Sequence, residues 1–297
     1  SDAPVRSYHA VGARPNGAYL RIMTSSGAHT WMALSFVVLT LGLAAQEAAA
    51  EVIGRSVEGR PITVERVGDG PIHVLVVGGI HGGYEWNSIV LARRILDHYR
   101  ARPEKLGTAF TLHVIDNMNP DGLHEVTGGT PIGDFDFSGV DTTAGRFNAN
   151  GVDLNRNWDG DWQPTSYWGT RVVDAGSEPF SEPETRAVRD YLLRVDPAVS
   201  VFYQSAAAGL WYSGAEERWQ PARGLAVAYA GASEYRLPSQ TGDGPVDYEI
   251  TGSADDYFHD IGHPNLTVEL TTHSTIELDR NLAGLQALLA LLHDDGR

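Results

Sequence analysis

Val74-Leu75-Val76-Val77-Gly78-Gly79-Ile80-His81-Gly82-Gly83-Tyr84-Glu85-Trp86-Asn87 is the stretch on which the fold turns. An unbroken apolar run bounded by glycines reads as a strand buried on both faces, the kind that lies inside a parallel sheet. His81 and Glu85 then emerge where the strand ends, the edge at which open α/β sheets hold their ligands. Imidazole nitrogen and carboxylate oxygen are both zinc donors, so one short turn delivers half of a metal site. Glycines at 82 and 83 let the backbone bend enough to aim both side chains inward. A solvated glycine-rich turn is the plainer reading of the same residues, and the chain on either side bears on the choice.

Outward from this turn, strand and helix patterns alternate. That argues for an α/β domain over 51–297: a mixed, mostly parallel sheet with helices on both faces, in three α/β/α layers. Residues 62–67 alternate at period two and close in Gly68-Asp69-Gly70-Pro71, and the central strand takes 72–80. Residues 87–102 set Leu91, Ile95 and Tyr99, with Leu96 beside them, on one helical face. The next strand is 110–115, stopped by Asn119-Pro120-Asp121-Gly122, which reads as a turn. Residues 123–152 show no periodicity, and a loop of that length in a compact domain is usually functional. Asp134, Asp136 and Asp141 within it lack the regular spacing of a calcium loop. Ser181 and Glu184 have the spacing of a capping box ahead of a helix carrying Val188, Leu192 and Val195. A strand at 199–203, a helix at 222–234 and a last helix striped with Leu278, Leu282, Leu285, Leu289 and Leu292, ending at Gly296, complete the domain.

Composition narrows the chemistry. A formal net charge of −16 gives no electrostatic case for binding nucleic acid or anionic lipid. With no cysteine, thiolate ligands and a cysteine nucleophile are excluded, so zinc has to rest on histidine and carboxylates. Residues 31–45 form an apolar run followed by Ala48-Ala49-Ala50. A spanning helix wants about 20 apolar residues; this run fits a secretory signal peptide cleaved after Ala50. Residues 1–50 are then an N-terminal extension outside the fold, and the mature protein is secreted or periplasmic with no stable membrane insertion. An uncleaved anchor and a buried helix are the other readings of the run.

Further along, Arg146 and the stretch Gly151-Val152-Asp153-Leu154-Asn155-Arg156-Asn157-Trp158-Asp159 gather two arginines and several amides beside acidic residues. Arginine suits a bidentate grip on a carboxylate or the stabilisation of an oxyanion; a surface ion-pair network is the plain alternative. Five features then occur in order: the strand leading to His81 and Glu85; Asn119-Pro120-Asp121-Gly122; 151–159; Pro179-Phe180-Ser181-Glu182-Pro183-Glu184-Thr185; and Thr267-Val268-Glu269-Leu270. With them the chain from about 54 to 292 resembles the zinc carboxypeptidase family, which includes carboxypeptidase A and the murein tripeptide amidases.

The resemblance implies one zinc per chain, with His81 and Glu85 as ligands and Asp153 orienting the histidine from behind. It makes Asn155 and Arg156 the holders of a peptide's free C-terminal carboxylate, Arg146 the group that polarises the scissile carbonyl, and Glu269 the general base. Tyr248 would close over the substrate. Asp255, seven residues on, would line the pocket for the terminal side chain and favour a basic or amino-bearing one; decoration of a helix N-terminus is the other reading of Asp255. The substrate expected is a peptide with a free C-terminus, cell-wall peptides included.

Two positions depart from the family pattern. His81 and Glu85 stand four apart where the family pair is usually three apart. More seriously, Gln204 in Val201-Phe202-Tyr203-Gln204-Ser205-Ala206 occupies the place of the third ligand, a histidine in the family. An amide oxygen is a poor zinc donor beside imidazole. Of His259, His263 and His273, the last, four residues past Glu269, is the substitute that position best allows. Two functions therefore stand against each other: a zinc-dependent exopeptidase, and an impaired relative that binds peptide carboxylates without cleaving. A deacylase of small acylated amino acids is a third, within the enzyme class.

Overall fold

In a computed structural model, which describes residues 50–213, 220–237 and 248–294, the chain begins with β1 (Glu51–Arg55), β2 (Pro61–Val67) and β3 (Ile72–Val77). Helices α1 (Trp86–Ala101) and α2 (Pro103–Leu106), strand β4 (Phe110–Ile115) and helix α3 (Pro120–Thr127) follow. After a long connection come a small hairpin, β5 (Thr165–Trp168) and β6 (Arg171–Asp174), then α4 (Pro183–Val195), β7 (Val199–Ser205) and β8 (Gly209–Tyr212). The chain closes with α5 (Gln220–Ser233), α6 (Ala254–Ile261), β9 (Asn265–Leu270) and α7 (Leu278–Asp294).

The main sheet has the order β1-β2-β4-β3-β7-β9-β8. Its four inner strands, β4, β3, β7 and β9, are parallel, and the flanking β1, β2 and β8 pair antiparallel. Burial on both sides explains the apolar runs: Val74, Leu75, Val76 and Val77 are essentially inaccessible. One core layer joins α1, α5 and α7 to one face of the sheet through Leu91, Ile95, Tyr99, Leu225, Leu285 and Leu289. The other packs α4, α6 and Trp158 on the opposite face. Each fully buried Leu, Ile or Phe in these layers contributes about 1.5–3 kcal/mol. The α1 stripe thus lies where the sequence places it.

Three expectations are corrected. The central strand ends at Val77 rather than 80, because Gly79 turns to φ +68. The expected turn at 119–122 is the start of α3, with the Asn119 side chain accepting from Gly122 N and Pro120 in the first turn. Asparagine and proline serve a helix start as readily as a turn. The Ser181–Glu184 capping box does not form. The N-cap is Glu182; Ser181 Oγ donates to Glu182 Oε1, and Glu184 accepts from Val57 N and Asn148 Nδ2. The N-terminal extension with its expected signal peptide, apart from Ala50, and Gly296 lie outside the described residues.

Candidate active site

Strands β3, β7 and β9 are neighbours in the sheet, and their C-terminal ends meet at one cavity of about 290 Å3. Beyond β3, a tight 3-10 turn over Gly82–Glu85 carries the chain into α1. Gly82 has φ +45, and a Cβ there would lie 2.7 Å from the carbonyl oxygen of Gly145, so the turn admits only glycine. This geometry absorbs the spacing of four: His81 Nδ1 lies 2.8 Å from Glu85 Oε1. Behind the ring, Nε2 is 3.2 Å from Asp153 Oδ1, the partner a metal-bound imidazole commonly needs.

Asp153 is fully buried. Burial works to raise its pKa, yet the guanidinium groups of Arg146 and Arg156 and the ring of His81 hold it well below the usual carboxylate range. Arg146 commits Nε and Nη2 to Asp153, at 2.9 and 2.8 Å, while Nη1 stays 3.8 Å from Glu85 Oε1. The same guanidinium sits 4.6 Å from the Trp168 ring centroid, so the β5–β6 hairpin forms part of the wall.

Arg156 is almost wholly buried. It donates from Nε and Nη2 to the Tyr167 carbonyl and from Nη1 to the Asn155 carbonyl. Of about five N–H donors on a guanidinium, two remain for a ligand. Asn155 is more committed: Oδ1 accepts from Ala254 N, and Nδ2 donates to Gln204 Oε1 at 3.3 Å.

Glu269 projects from β9 into the same cavity. Burial pushes its carboxyl up to about 8, with Glu85 and Asp255 adding to the rise and Arg146 opposing it. Its Oε2 is buried without a hydrogen-bond partner. An orphaned buried carboxylate oxygen costs stability, and a cavity group awaiting a ligand is one reason to retain it. Tyr248 also lines the cavity.

Asp255 is not among the residues that line it. Its carboxylate accepts from Asn265 Nδ2 and Thr267 Oγ1, both at 2.7 Å and both on β9. The helix start is capped instead by the Ser253–Asp256 box. Burial raises Asp255 to about 6 against the hydrogen bond from Thr267.

Sequence reasoning did not single out Tyr84, Trp168 and Ser205 as cavity-lining residues, and it held His273 only in reserve. Ser205 Oγ donates to Asn87 Oδ1 at 3.1 Å and is 3.0 Å from His273 Nδ1. The His273 ring packs 4.6 Å from that of Tyr84. The run Tyr167-Trp168-Gly169-Thr170-Arg171-Val172, two short strands around a glycine turn, was the available signal for the hairpin.

For zinc the arrangement fits in two positions. The His81 nitrogen and Glu85 oxygen converge with their supporting carboxylate in place. At position 204 the donor is an amide oxygen already bonded to Asn155. Among the described residues no three His, Asp or Glu side chains form a metal-holding group.

The histidine and carboxylates beyond the strand ends, with two arginines brought in by the long connection before β5, form a polar, partly buried site of the kind hydrolases use. The sequence profile of the zinc carboxypeptidase family matches residues 44–282, and the chain belongs to that family of hydrolases. Carboxypeptidase B of Astacus astacus is 27% identical over 232 residues, covering 71% of this chain and 74% of that one. The catalytic chain of carboxypeptidase N from Mus musculus is 32% identical over 166 residues, and the match spans only 34% of its length. Among solved structures, bovine thrombin-activatable fibrinolysis inhibitor in complex with tick carboxypeptidase inhibitor shares the fold at TM-score 0.63 and 20% identity, over 82% of this chain and 87% of that one. The murein-tripeptide amidase of Escherichia coli O157 does so at 0.54 and 23%, over 84% and 95%.

Proposed function

We propose that this chain is an exopeptidase that hydrolyses the C-terminal amide bond of peptides, cell-wall peptides among the candidates. One observation carries the reading: Glu269, whose Oε2 is buried without a hydrogen-bond partner, shares a cavity with His81, Glu85, Arg146 and Arg156. In this reading the two remaining donors of Arg156, with Asn155, hold the substrate's terminal carboxylate. Tyr248 closes the cavity over it. Nη1 of Arg146, the nitrogen not spent on Asp153, meets the scissile carbonyl oxygen as charge develops there. In its ionised form, Glu269 takes a proton from the attacking water and passes it to the leaving nitrogen.

His81 and Glu85 would hold zinc, with Asp153 fixing the ring and Gln204 as a weak third donor. Bound zinc supplies the polarisation of water and carbonyl that amide hydrolysis needs. Asp255 is proposed to reach the terminal side chain electrostatically and to favour Lys, Arg or another amino-bearing residue. Residues 31–50 support export by a signal peptide, to the periplasm or outside. No helix among the described residues is long and apolar enough to cross a membrane.

A second reading, a carboxylate-binding relative that does not cleave, is favoured by Gln204 and its bond to Asn155. Paired peptides test the shared element. A peptide amide should bind at least about 2 kcal/mol more weakly than the free acid, since Arg156 loses its charged partner. Equal affinity for acid and amide removes both readings. Cleavage of the acid then separates them.

A further inference from the structure

Beside the catalytic cavity lies a second one of about 500 Å3, within the range in which small ligands are held. The two are consecutive along the chain: Glu85 and His273 line the first, Trp86 and Ser274 the second. Trp86, Val90 and Arg94, spaced by four on α1, present one helical face to it. Phe135, Phe137 and Ile276 close the other side.

The wall is aromatic. Trp86 stacks on Phe137 with centroids 4.3 Å apart and planes 8° from parallel, and Phe135 meets Phe137 edge-on at 4.8 Å. Arg94 is exposed and makes no ion pair or hydrogen bond among the described residues, whereas Arg93 and Arg100 on the same helix pair with Glu65. The one carboxylate on the wall, Asp136, accepts from Ser138 N. An uncommitted guanidinium lining the same cavity as a stacked aromatic pair is set up for a ligand that is aromatic and carries a carboxylate.

We propose that this cavity is a subsite for the part of the peptide that precedes the scissile residue, and that it selects an aromatic residue next to an acidic one. The inference rests on the first cavity being the site for the peptide C-terminus. The substrate's aromatic ring extends the Trp86–Phe137 stack, and its carboxylate meets Arg94.

The test uses the full chain carrying Glu269→Gln, so that ligands persist, and three peptides with free C-terminal lysine. These are Gly-Gly-Lys, a glycine hexapeptide ending in Lys, and Asp-Phe-Gly-Gly-Gly-Lys. The acidic-aromatic hexapeptide should bind about tenfold tighter than the glycine one, a gain of about 1.4 kcal/mol. That ratio should fall to near one with Trp86→Ala and fall severalfold with Arg94→Glu. Arg94 is exposed, so its replacement keeps the test independent of whether Trp86→Ala folds. If Gly-Gly-Lys binds but the two hexapeptides bind alike, the subsite is wrong and the C-terminal site stands. A preference that survives both substitutions also overturns the subsite. If no peptide binds, the C-terminal site fails and this inference with it.

Discussion

Gln204 and Glu269 are Cα partners across the parallel pair β7–β9. Residues opposite one another in a sheet project to the same side, and both side chains reach the catalytic cavity. Gln204, proposed as a weak metal donor, is therefore next to the carboxylate proposed as base. In the proposed reading, Gln204 stands where a third metal donor is expected, and Glu269, Arg146 and Arg156 line the same cavity.

Stability should report on Glu269. Its carboxyl is raised to about 8 from an ordinary 4.5. Between those values the folded chain keeps a proton that the unfolded chain has lost, so this group's contribution to stability falls as pH rises from 4.5 to 8. Glu269→Gln cannot titrate. In chelator, the melting temperature of the variant minus that of the native chain should rise with pH across this window and level off above it. A difference that stays flat with pH contradicts the raised carboxyl.

Arg146 and Asp153 should behave as one unit. Both are buried, and Arg146→Ala takes from the Asp153 carboxylate the guanidinium that bonds its Oδ2, leaving His81 and Asn155 N on Oδ1, a loss of about 3 kcal/mol in urea unfolding. Combining it with Asp153→Asn should cost at least about 1 kcal/mol less than the sum of the single changes. Additive losses would mean that the pair does not interact in solution.

Much of this was legible in sequence because the signals were local. The strand at 74–77 and the α1 stripe follow from burial periodicity, and His81, Glu85 and Glu269 lie at or just beyond strand ends. What was missed depended on which of two local uses a residue takes. Asn119 and Pro120 serve a turn or a helix start equally well, and only the packing of α3 against the Gly82–Gly83 turn selects the helix. Trp168 and Tyr84 join the site through contacts with Arg146 that no spacing encodes. Asp255 was expected in a pocket or on a helix end; it lies in the first turn of α6, and its carboxylate accepts from Asn265 and Thr267, contacts that no spacing encodes.

Asp255 yields a pH-dependent prediction. With its carboxyl at about 6, it is charged at pH 8 and largely neutral at pH 5. Peptides ending in Lys or Arg should bind better than those ending in Phe or Leu at pH 8, and the preference should be lost at pH 5. The absence of any preference at pH 8 would leave Asp255 with a structural role only.

Zinc affinity of residues 51–297, measured by competition with a chromophoric chelator for the native chain and for Gln204→His, tests the account most directly. If His81, Glu85 and position 204 form one metal corner, the histidine variant should bind one zinc at least about 100-fold more tightly, because imidazole replaces a neutral amide oxygen. Equal affinity in the two proteins, tight or absent, would contradict the placement of residue 204 in that corner and with it the metal site as drawn.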